Sequence, residues 1–156
     1  MLCVAVSAAS SAYTTKYRPS VTTLDSTTDF SKLTTYGWLD SHIVVDEQLH
    51  DQIVGAIDRE FSALGMTRVP AASAEVVVTY AAYSRTDVNT KAHPIARDVQ
   101  PTYAVGILVV SVLAPQNMKT LLELRGVTPV ERASRSAAVV NTVADMFKLF
   151  PRRRGH

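Results

Sequence analysis

The stretch "YAVGILVVSVL", residues 103–113, constrains the fold more than any other part of the chain. It is almost wholly apolar, rich in β-branched residues, and too short to cross a membrane as a helix, which takes about 18–20 residues. Such a segment reads as a central strand, with neighbours on both edges and a covering layer on a face. Its flanks supply the neighbours. Residues 74–88, "AEVVVTYAAYSRTDV", are β-branched and aromatic, and residues 120–130, "TLLELRGVTPV", set Leu122 and Leu124 opposite Glu123 and Arg125. The link 114–119, "APQNMK", has hairpin length and turn residues. Residues 34–39, "TTYGWL", and 13–19, "YTTKYRP", are two further strand candidates, separated by the polar run 20–29, which reads as a loop.

The covering layer comes from two helices. In "DEQLHDQIVGAIDREFSALG" the residues Leu49, Ile53, Ala56, Ile57, Phe61 and Leu64 fall on one stripe. Asp46 stands at the N-cap position and Gly65 where a left-handed C-cap belongs. A second stripe, Val139, Val143, Met146, Phe147 and Phe150, follows Ser134 and Ser136, either of which suits a cap, and Pro151 stops it. Strands joined by short links pair antiparallel, and each helix has a single stripe to bury. The expected class is α+β: one mostly antiparallel sheet of about five strands with both helices on one face, a two-layer sandwich.

A chain of 156 residues is long enough to bury roughly 70% of its unfolded surface as one domain. The expected organisation is a folded body over residues 13–151 between two short ends. Residues 1–12, "MLCVAVSAASSA", are uncharged, small and apolar, and Ser10-Ser11-Ala12 offers the small residues that a signal peptidase selects. They read as the back half of an export signal, which predicts a periplasmic or outer-membrane-associated protein. Leu2 ahead of Cys3 does not fit a lipobox. The other end, residues 152–156, carries Arg152, Arg153 and Arg154, and without them the balance of 16 basic and 14 acidic residues turns slightly negative. The body therefore lacks the charge of a nucleic-acid binder. The arginine tail is suited only to weak contact with anionic surfaces, screened by salt.

Motifs for chemistry are missing from the pattern. No two of His42, His50, His93 and His156 stand at helical spacing, and a single Cys makes neither a disulfide nor a cysteine zinc site. There is no G-x-S-x-G elbow and no glycine-rich phosphate cradle, so no metal or cofactor is implied. The long polar link 89–102, with His93, Arg97 and Asp98, is the place where a small-molecule pocket would form, in a binder or a small enzyme.

The aromatic stretch "DFSKLTTYGWL", residues 29–39, resembles the D-F-x-x-Y-x-T-Y-x-W opening of a bacterial envelope family known only as a domain of unknown function, whose members are commonly described as lipoproteins. The similarity continues through "AIDREFSALGMTRV", "AEVVVTYAA", "GILVVSV" and "LLELRG" to the closing "LFP", covering about residues 17–151. Leu33, Ser111 and Leu124 stand where the family often has Tyr, Asp and Trp. The resemblance implies an exported envelope protein with a small α+β domain and no known catalytic residues. Together with the signal-like N-terminus and the missing catalytic motifs, it leads to the expectation of a non-catalytic structural or binding module of the envelope, the alternative being a small-molecule binder or small enzyme with a pocket near 89–102. Within it, Asp29 is expected to cap a turn that buries Phe30. Tyr36 and Trp38 are expected to share one strand face for packing rather than ligand stacking, with Gly37 leaving the other face open for close approach.

Overall fold

The structure, a computed structural model, describes residues 18–39, 47–88, 102–129 and 135–151. Two helices lie on one face of a six-stranded mixed sheet. The strands are β1 (Ser20–Leu24), β2 (Thr35–Trp38), β3 (Thr67–Arg68), β4 (Val76–Val88), β5 (Thr102–Leu113) and β6 (Thr120–Pro129); the helices are α1 (Glu47–Ala63) and α2 (Arg135–Phe147). Their order across the sheet is β1-β6-β5-β4-β2-β3. The β4–β5 hairpin runs in unbroken antiparallel register from Val77 opposite Leu113 to Val88 opposite Thr102, and β6 completes the centre. As the apolar run demands, β5 has a strand on each side. The turn after it closes through Ala114 N to Lys119 O (2.9 Å) and Met118 N to Ala114 O (2.8 Å).

Two features depart from the expected sheet. It has six strands rather than five, and it is parallel at one margin, where β2 pairs with both β3 and β4. The parallel pairs follow from the helical crossover, because a strand that returns through a helix re-enters in the same direction. Ser20–Leu24, expected as loop, forms edge strand β1 against β6. All five of its residues are exposed, so no face of it needed the apolar alternation by which strands are recognised. The strand expected over 13–19 falls mainly outside the described residues, as do Asp46 and Ser134; Ser136 lies inside α2.

The apolar stripe of α1 delivers Ile53, Ala56, Ile57 and Phe61 to the core, where they meet Val143, Met146 and Phe147 of α2 and alternate residues of the sheet such as Val78, Val110 and Leu124. Phe61 is the hub. Its ring stacks on Tyr36 (4.4 Å between centroids) and meets Phe147 and Phe150 edge-on at 5.0 and 5.8 Å. Phe30 enters the same cluster through Phe150, at 5.7 Å. Asp29 caps the short 3-10 turn that presents it, accepting from Ser31 N (3.1 Å).

Helix α1 ends because Gly65 takes a left-handed conformation, φ 73°. Gly65 N donates to Ser62 O (2.8 Å) and Met66 N to Phe61 O (3.0 Å), a Schellman closure that also drops Met66 into the core beside Phe61. A Cβ at position 65 would adopt that conformation only with strain, whereas a Cβ at Gly55, midway along α1, meets nothing within 4 Å. Gly65→Ala should therefore lower the unfolding free energy by about 1–2 kcal/mol. Gly55→Ala should raise it by about 0.5–1 kcal/mol. Denaturant titration of the two variants checks both signs.

Candidate functional site

The polar constellation that joins helix to sheet gathers around one carboxylate, that of Asp58. Tyr36 and Trp38 lie two apart on β2, so both side chains leave the sheet on the helix-covered face. There the Tyr36 hydroxyl donates to Asp58 Oδ1 at 2.7 Å, and Trp38 Nε1 donates to the same oxygen at 2.9 Å. The other oxygen, Oδ2, accepts from Arg68 Nη1 of β3 at 2.9 Å. Asp58 stands next to Ile57 on α1, so the carboxylate sits at the rim of the apolar stripe, with its side chain 25% exposed. Three strand residues thus converge on one helix residue. Burial, and then the bonded Asp58 carboxylate, push the Tyr36 hydroxyl far above its ordinary range, so it stays a neutral donor.

A second contact extends the constellation. His50 Nδ1 lies 2.8 Å from the Tyr80 hydroxyl, and the Tyr80 ring meets Trp38 edge-on at 6.3 Å. The polar start of α1 is therefore tied to β4 through His50, a contact that its exposed helical position does not announce. On the far side of β2, Gly37 lies against the chain at Ala71: a Cβ there would come within 2.6 Å of Ala71 Cα and 2.9 Å of its N. The expected close approach at Gly37 is present, and its partner is the backbone of the Ala71–Ser73 turn. Trp38, Arg68, Val69, Pro70 and Ala71 line an open groove of about 430 Å³.

Asp58 can do little chemistry from this position. Both oxygens are held by donors of the fold, and the adjacent hydroxyl is a phenol kept protonated. The arrangement instead fastens α1 to the parallel margin of the sheet. Among the described residues no group of His, Cys, Asp and Glu side chains is placed to hold a metal ion. His93, Arg97 and Asp98 lie outside the described residues, as do Arg152, Arg153 and Arg154. Ser111 and Leu124 point to opposite faces. Leu124 is in the core, while Ser111 on the other face donates to Glu123 Oε2 at 3.3 Å. The sequence carries only part of the signal for the Asp58 clasp: two aromatic residues with polar handles on one inward face require an acceptor, and Asp58 is a carboxylate flanked by Ile57 and Phe61 on the stripe, but the crossover that brings them together is not written in the residue types.

Removing that acceptor strands two donors. Asp58→Ala should cost about 2–4 kcal/mol, since the Tyr36 and Trp38 donors lose a charged partner. Arg68→Ala, at a side chain 55% exposed, should cost less than about 1 kcal/mol. Urea unfolding monitored by the fluorescence of Trp38, the only tryptophan, separates the two.

Two other carboxylates hold loops and titrate out of the ordinary. Glu75 Oε2 accepts from the main-chain N–H groups of Thr34 (2.7 Å) and Thr35 (2.8 Å) and from both hydroxyls, which holds its pKa below the usual 4.5. Asp25, bonded first by the Thr27 hydroxyl and amide and then by Lys119 and Thr28, is held well below its usual range. A carboxyl depressed in the folded state stabilises above its unfolded pKa, and that stability is lost as pH falls through the folded value. Glu75→Gln should accordingly be less stable than the parent at neutral pH, with the gap narrowing below about pH 4.5. Urea midpoints at pH 7 and pH 3 measure the change.

The comparisons with known proteins concern this fold and its sequence pattern. No curated protein sequence matches the chain. Among solved structures, it is similar to PelC from Paraburkholderia phytofirmans, a dodecamer, in two crystal forms. The TM-scores are 0.59 and 0.57 at 10% and 12% identity, with 88% and 87% of this chain and 99% of that chain covered. It is also similar to part of a PDZ domain protein from Parabacteroides distasonis, with TM-score 0.52, 14% identity and 87% of this chain covered. The chain spans only 36% of the length of that protein. At such identities the likeness is one of fold. The sequence profile of a domain of unknown function, DUF4136, matches residues 20–152, from the first described strand past the end of α2, and the chain belongs to that family.

Proposed function

We propose that the protein is an exported, non-catalytic structural or binding module of the bacterial cell envelope, which works through its surfaces on an envelope partner or a small molecule. The observation that carries the non-catalytic part is the engagement of Asp58. The most chemistry-like carboxylate of the described residues has its oxygens occupied by Tyr36, Trp38 and Arg68, which is the arrangement of a structural clasp. Export is supported by residues 1–12, whose uncharged, small and apolar composition suits the end of a secretion signal. A role through contacts is in keeping with the fold's use in PelC, which forms a dodecamer.

Fractionation of bacteria expressing the full-length gene tests the proposal. The protein should be recovered with the periplasmic or outer-membrane fraction, and its mature N-terminus should begin after Ala9 or Ala12. Recovery solely in the cytoplasm, with Met1 still in place, would contradict it.

A further inference from the structure

The three sheet margins are finished differently. Strand β3 is two residues long, and β1 is five residues with a register shift between Val21 and Thr23, so both offer poor templates for another strand. Strand β4 is different. It runs for 13 residues without a bulge, yet β2 covers its outer side only from Val76 to Val78. Beyond that, no described strand lies against it.

One hydrogen bond determines which main-chain groups face outward. Leu39 N of the β2 end donates to Val78 O at 2.9 Å, so the amide and carbonyl of Val78 point toward β2. Counting in steps of two, Ala82, Ser84, Thr86 and Val88 turn theirs to the same side, where no described strand lies, while Tyr83, Arg85 and Asp87 turn theirs to β5. Ser84, Thr86 and Val88 are exposed, and the segment holds none of the Lys or Pro residues that commonly blunt such an edge.

We infer that this edge pairs antiparallel with the same edge of a second copy, about a two-fold axis at Thr86, joining two six-stranded sheets into one. The segment is self-complementary in that register. Thr86 faces Thr86 of the second copy, and Ser84 faces Val88, so each facing pair has its amides and carbonyls turned toward the other. Arg85 comes opposite Asp87 of the second copy, on the face away from the helices. Within one copy these two side chains already bond, Arg85 Nε to Asp87 Oδ1 at 2.9 Å, so the interface turns two in-strand pairs into a four-charge cluster of alternating sign. A two-fold axis makes each contact twice and closes the assembly at two copies. The contact is short for a stable interface, so the dimer should be concentration-dependent. This inference concerns assembly and is independent of the export proposal.

The test is sedimentation of the full chain, with amide hydrogen exchange, across a dilution series reaching about 100 µM. A dimer should form, and the Ser84, Thr86 and Val88 amides should gain protection as it does. A monomer at every concentration, or an oligomer in which those amides stay unprotected, overturns the inference. Thr86→Pro removes only an outward N–H, leaving the bonds to β5 in place, and should weaken association by tenfold or more with an unchanged unfolding midpoint. If that variant does not fold, the charges carry the test. Arg85→Asp should weaken the dimer about tenfold, and the exchanged pair Arg85→Asp with Asp87→Arg should restore it. Association indifferent to these changes overturns the inference.

Discussion

Asp58 is the point at which the two layers of this protein are fixed to one another. Apolar burial alone would hold α1 over the sheet, but the stripe of Ile53, Ile57 and Phe61 does not by itself set where along the strands the helix comes to rest. The carboxylate does. Its oxygens accept from Tyr36 and Trp38 on β2 and from Arg68 on β3, so one residue of the crossover helix is bound to both strands that the helix connects. The Tyr36 ring, stacked on Phe61 below that hydroxyl, makes the same side chain both a core plug and a donor. Closing the margin on its other face, Gly37 admits the backbone at Ala71, and Glu75 gathers the amides of Thr34 and Thr35. The parallel margin is thus assembled from polar contacts around a small number of residues, whereas the antiparallel centre rests on ladder pairing and apolar area.

That difference explains what could be read in advance. Strand β5 and the stripes of α1 and α2 follow from apolar pattern alone, because a buried strand with neighbours on both sides and a one-faced helix each have a single arrangement that covers them. The antiparallel β5–β6 hairpin follows from its short link, and the Gly65 stop from its place after Leu64. Ser20–Leu24 was not legible as a strand: it is exposed on both faces and paired on one edge only, so its backbone, and not its side chains, decides its structure. Nor was β3, whose two residues owe their strand geometry to β2. The aromatic stretch 29–39 was legible as packing, with Asp29 capping, Phe30 buried and Gly37 in close approach. Its acceptor was not named, because pairing Asp58 with Tyr36 and Trp38 needs the crossover geometry as well as the residue types.

For function, the consequence is a division of the molecule. Tyr36 and Trp38, the aromatic pair of β2, serve to hold the fold through Asp58. The outer side of β4 beyond Val78 is the place inferred above for a second copy.

The central claim is that Asp58 and Tyr36 stabilise the fold through each other, and a double-mutant cycle in equilibrium unfolding tests it most directly. Tyr36→Phe, Asp58→Ala and the double variant should give a coupling of about 1–3 kcal/mol, because the Phe ring keeps the stacking on Phe61 and removes only the donor. Additive losses, with no coupling between the two positions, would contradict the account.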